Sequence, residues 1–199
     1  MNGGARCIAR LVRATRLHYH NSMTKLVACL ILCSAALPAQ DAANPLIGTS
    51  KAIFAISQRN IMGSVDKVPE ELWSFQPTKD VRTFAQLFAH IADGQYEFCG
   101  VAAEGNVVDK GIEKTAKTKA EITAALKEAF QYCESAFAKL NDAKAAEIVK
   151  FFNMSITRLG AMDFNTAHNM EHYGNLVTYM RLKNIVPPSS TPRPPAAKD

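Results

Sequence analysis

The sequence predicts an all-α protein, a four-helix bundle, and three observations carry that reading. Apolar residues recur at helical spacing from residue 46 to residue 185. No stretch in that span alternates cleanly like a strand. Four of the periodic runs, roughly 46–65, 83–103, 118–140 and 158–184, are long enough to be the helices of one bundle.

The chain opens with a segment that does not belong to this body. Residues 1–39 carry Arg6, Arg10, Arg13, Arg16 and Lys25 and no acidic residue. Lys25 precedes the apolar run "LVACLILCSAAL", which is followed by Pro38 and the small residue Ala39. A cation, a run of about a dozen apolar residues and a small residue form an export signal. The run is short for a membrane span of roughly 20 residues. Met23 opens a better-proportioned signal than Met1, so residues 1–22 read as an over-extended start. Cleavage is expected near Ala39; the alternative is a retained N-terminal anchor. The mature protein would be periplasmic or secreted, with no membrane association after cleavage.

Removing the leader changes the charge. The whole chain has a formal net charge of +5. Without the five cations of the leader, eighteen basic residues face all eighteen acidic ones. A nucleic-acid partner needs a basic surface, and this neutral body has none overall. The remaining 160 or so residues suffice for one domain with a real core. We divide the chain into the leader 1–39, a helical domain 40–186 and a tail 187–199.

Within the domain the first helix leads into "VPEELWSFQPTKD", a loop bracketed by Pro69 and Pro77 and anchored by Trp73. The second helix opens with "TFAQ", where Thr83 and Gln86 have capping-box spacing. The loop "EGNVVDKG" separates helices two and three. The stretch "AAEIVKFFNMS" is ambiguous and has room for a short extra element. Asn184 suits a left-handed C-cap, and Pro187 and Pro188 stop the fourth helix. The tail "PPSSTPRPPAAKD" is Pro-rich, has no apolar face and is expected to be disordered.

Two cysteines, Cys99 and Cys133, remain after the leader leaves. If helices two and three run antiparallel about a turn near residue 110, the two lie about a dozen residues apart along the bundle. That is roughly 18 Å, so they are expected not to pair. Cys99 is expected to be a core thiol rather than a nucleophile. On the fourth helix Met162, Tyr173, Val177 and Met180 form a second apolar sector, which calls for a homodimer contact or burial under "FFNMS".

The residues that carry chemistry are the histidines. Only His90, His168 and His172 lie in the domain. His168 and His172 stand four apart, about 40° from each other around the helix. Ala161 and Tyr179 share their sector, so both imidazoles point inward or to the rim. His90 sits at the edge of the apolar sector of helix two, and Gly94 leaves space beside it. A lone histidine pair is ordinarily structural. Three such positions on two helices point instead to a shared site.

These residues resemble the DinB-like (DinB/YfiT) superfamily of four-helix-bundle proteins. The matching pieces are "PTKDVRTFAQLFAHIADGQYEFC" and "HNMEHYGNLVTYMRLKNIVPPSS". The resemblance implies that His90, His168 and His172 bind one divalent metal. Three imidazoles suit zinc, nickel or iron better than magnesium or calcium, which prefer oxygen. Three protein ligands leave a position open. Some relatives are thiol transferases or hydrolases, so the resemblance implies a metal-dependent transferase or hydrolase acting on a small molecule of unknown identity. The other reading is a non-catalytic metal- or ligand-binding module of the cell envelope. Glu171 and Asn175 flank the histidine sector and could orient an imidazole or shuttle a proton. They could equally be a solvated Glu and a packing Asn. Tyr173, at a different angle, is expected to pack.

Overall fold

A computed structural model describes residues 43–191 of the 199. The expected leader and most of the expected tail lie outside the described residues. The four long helices are α1 (Pro45–Lys67), α2 (Phe84–Glu104), α4 (Lys119–Ala138) and α6 (Arg158–Leu182). One-turn helices α3 (Ile112–Thr115) and α5 (Asp142–Ala145) and a hairpin of β1 (Ile148–Phe151) and β2 (Met154–Thr157) sit in the connections. No helix among the described residues is long and apolar enough to cross a membrane.

Local chemistry sets the helix ends. The Thr83 hydroxyl accepts from the Gln86 amide while the Gln86 side chain accepts from the Thr83 amide, closing the capping box. Thr118 and Glu121 repeat that arrangement at the start of α4. At the end of α6, Asn184 takes φ 58°. There the Ile185 amide bonds to the Met180 carbonyl and the Asn184 amide to that of Arg181, the two bonds of a Schellman cap. Trp73 anchors its loop as expected, buried and donating Nε1–H to the Val68 carbonyl at 3.1 Å.

The helix directions differ from the antiparallel expectation for helices two and three. Gly105, at φ 83°, ends α2, and the chain then doubles back along that helix. Val108 lies against Gly100, where an added Cβ would meet Val108 Cγ2 at 2.8 Å. The Lys110 ammonium stands over the Tyr96 ring. The Asp93 carboxylate accepts from the Ile112 and Glu113 amides at 2.7 and 2.9 Å. By residue 119 the chain is back near the start of α2, where Lys119 bonds the Val68 carbonyl and lies over Trp73. Helix α4 therefore runs parallel to α2.

That topology corrects the cysteine expectation. With parallel axes Cys99 and Cys133 come level, their Cα atoms 5.3 Å apart, and they form a disulfide. The error lay in placing the turn at residue 110 instead of following a return segment anchored by Asp93. Helix α6 is antiparallel to α2, with Tyr179 bonding the Arg82 carbonyl at one end and Asn165 contacting Cys99 at the other. Helix α1 runs parallel to α6, linked by Ser50 to Asp163 and by Asn169 to Ser57.

The ambiguous stretch after Leu140 holds α5 and the hairpin, so strand is present where none was expected. Val149 and Phe151 alternate inward, and Phe152 takes φ 50° in the two-residue turn. Met162, Tyr173 and Met180 are buried within the chain, and the partly buried Val177 packs on the same core. The Tyr173 hydroxyl donates to Ser189, and Pro188 lies against Gly63. The proline-rich segment is thus docked through Ser190 rather than loose from residue 187.

Candidate metal centre

Helices α2 and α6 cross so that His90 faces His168 and His172. The Nε2 atoms of His168 and His172 are 3.0 Å apart, and those of His168 and His90 are 3.2 Å apart. One nitrogen from each ring lies within 4.8 Å of the other two. Tetrahedral nitrogens bound at about 2.0–2.1 Å stand roughly 3.3–3.4 Å from one another, so a group spaced like this one could hold a metal ion. Gly94 is essential to it, although the ring it accommodates is His168 and not its neighbour His90. A Cβ at residue 94 would meet His168 Cε1 at 2.7 Å.

Hydrogen bonding alone does not account for this cluster. A ring nitrogen carries either one proton or one lone pair. His168 Nε2 can therefore satisfy only one of its two imidazole contacts. A cation at the centre would satisfy all three rings at once.

Burial tunes the rings toward that role. Desolvation, then the neighbouring His172 and His90 and the Arg82 guanidinium, hold His168 down at about 3. Desolvation, with His90 next, lowers His172 to about 4. Desolvation followed by Arg82 also lowers His90, against the opposing pull of Glu113. All three rings stay neutral at pH 7, as metal ligands must.

Glu113 is the site residue that sequence reasoning missed. It lies on the short helix α3, and its Oε2 is 3.3 Å from His90 Nδ1. A carboxylate there fixes the tautomer that leaves the Nε2 lone pair free, the usual support for a metal-bound histidine. Arg82 holds the same carboxylate through Nε at 2.8 Å. No sequence spacing reveals this contact, because it depends on the return of the chain along α2.

Of the expected supporting residues, the Asn175 side-chain amide stands 3.5 Å from His172 Nδ1. Glu171 is exposed and acts on His172 through its charge. Tyr173 packs away from the site, as expected. Phe98 presents its edge to His168, with Phe164 and the hairpin residue Phe151 behind it.

The profile of the DinB superfamily matches residues 53–176, a span that includes all three histidines. The chain belongs to the DinB superfamily. Two solved DinB-like structures share its fold. One, from Bacillus subtilis, is 20% identical with a TM-score of 0.54, covering 67% of this chain and 92% of that one. The other, from Bacillus cereus, is 14% identical with a TM-score of 0.58, covering 70% and 93%. No curated protein matches the chain. For this DinB member, membership and helical architecture agree with the sequence reading.

Proposed function

We propose that this DinB protein is exported and holds one divalent transition metal, zinc, nickel or iron, on His90, His168 and His172. We further propose that it uses the site in a transferase reaction, such as thiol transfer, or in hydrolysis of a small molecule. The observation that carries the reading is the apposition of three neutral imidazole nitrogens that cannot all satisfy one another. A metal held by three imidazoles supplies Lewis acidity and an open position for water or a thiolate. Glu113 orients His90 from behind, and Gly94 gives His168 its place. A cavity of about 600 Å³ bordered by His172, Glu171 and Asn175 is of a size for a small-molecule substrate.

Two independent features support export. One is the apolar run with its flanking lysine and small residue in the leader. The other is the Cys99–Cys133 disulfide, a bond favoured in oxidising compartments. Elemental analysis of the protein purified from its native host, beside a His90→Ala variant, tests the site. About one transition-metal ion per chain is expected in the first and strong depletion in the second. Equal metal content in the two would remove the three-histidine reading. A screen for thiol transfer and hydrolysis then separates an enzyme from a non-catalytic module, because only an enzyme shows metal-dependent turnover.

A further inference from the structure

The cavity beside His172 carries charges of both signs, and they are not all spent within the protein. Lys79 and Arg82 stand on its wall together with Asp80, Glu113 and Glu171. Arg82 gives Nε and one Nη2 hydrogen to Glu113. Among the described residues nothing else accepts from its guanidinium, so three of its five N–H donors stay available. Its backbone is fixed, because the Tyr179 hydroxyl donates to the Arg82 carbonyl at 3.1 Å. Glu113 is itself occupied by Arg82 and His90. Lys79, Asp80 and Glu171 are exposed and make no ion pair among the described residues.

The balance after internal pairing is therefore two kinds of unspent group around one space: cationic donors at Arg82 and Lys79, and carboxylates at Glu171 and Asp80. A simple anion would satisfy the first and meet repulsion from the second. A simple cation would do the reverse. We propose that the cavity binds a small zwitterion of the amino-acid or short-peptide class. Its carboxylate is taken by Arg82 and Lys79 and its ammonium by Glu171 and Asp80, which places the rest of the molecule beside His172. This deepens the proposed function by naming the substrate class, and it rests on that reading only for the statement that chemistry happens there. The cavity walls themselves are protein.

Isothermal titration of the purified protein with alanylalanine tests the proposal, alongside the N-acetylated and C-amidated forms of that dipeptide. Each titration is run on metal-loaded and on metal-free protein. Binding of the zwitterion is expected, with each blocked form weaker by about tenfold or more, the usual loss for one charge-assisted hydrogen bond. Arg82→Gln should weaken the zwitterion to the level of the amide without further weakening the amide. Glu171→Gln should do the same with respect to the N-acetyl form, and Lys79→Gln, fully at the surface, guards against an Arg82 variant that misfolds. Equal affinity for blocked and unblocked dipeptides, or no binding to either protein form, would overturn the zwitterion site. Absence of metal from the native protein would instead overturn the proposed function, while the metal-free titration still decides the cavity.

Discussion

Two layers of polar side chains cross the same pair of helices about one turn apart, and they behave in opposite ways. In the lower layer Gln95 donates to Asn169 Oδ1 at 2.6 Å and to the Ile91 carbonyl at 3.1 Å, and it accepts from Asn165 at 2.8 Å. Asn169 donates on to Ser57, which donates to the Phe54 carbonyl. Amides carry donors and acceptors together, so this fully buried layer largely satisfies itself. The histidine layer above sets three identical rings against one another, and His168 Nε2 meets two of them at once. The first layer is a structural core in polar form, and the second is a set of rings that could share one cation. Donor–acceptor complementarity, more than burial or residue type, separates a packed polar group from a ligand.

The largest effect that sharpens this contrast is on stability. Gln95→Leu removes the centre of the amide layer and leaves buried groups of Asn165 and Asn169 without partners, at about 1–3 kcal/mol each. Chemical denaturation should show a loss of roughly 2–5 kcal/mol, while the folded fraction keeps its metal stoichiometry. Loss of metal with unchanged stability would reverse the roles assigned to the layers.

Glu113→Ala should act the other way. It removes the carboxylate behind His90 and should weaken metal affinity by about 10–100-fold in a chelator competition, with little change in melting temperature. Glu113→Gln keeps an acceptor and should fall between. An unchanged affinity in Glu113→Ala would mean that the 3.3 Å contact orients nothing.

The smallest effect is on acid stability of the metal-free protein. The folded pKa values of His168 and His172 lie at about 3 and about 4, below the ordinary value of 6.5. The unfolded chain therefore takes up protons first as pH falls. Stability should be complete above about pH 6.5 and decline toward pH 4, because the unfolded chain then holds the extra protons. A His168→Ala variant should show a shallower decline over the same window. Equal slopes would place the acid sensitivity elsewhere, and the amide layer, which does not titrate, should contribute none of it.

Much of this was legible in the residues. Helical periodicity located four helices to within two residues at every end, and Thr83, Gln86 and Asn184 marked caps that form as read. His90, His168 and His172 could be paired because spacing on a helix fixes direction, and Gly94 marked the close approach. The helix directions could not be read, because short connections favour antiparallel neighbours and nothing local announces a segment that returns along its own helix. The return depends on the bare face at Gly100 and on two amide bonds to Asp93, contacts made only in the folded chain. Both the disulfide and the Glu113 contact follow from it, so one misread turn concealed two features. The hairpin escaped for a different reason: strands of four residues, with only Val149 and Phe151 fully inward, are too short for a clear alternation.

X-ray absorption spectroscopy at the edge of the metal bound to the native protein tests the central claim most directly. The account predicts three imidazole nitrogens at about 2.0–2.1 Å, with outer-ring scattering from histidine carbons and one non-imidazole ligand, a water oxygen or a thiolate, completing the shell. A shell of sulfurs near 2.3 Å, or one of oxygens, without imidazole scattering would contradict a site made by His90, His168 and His172.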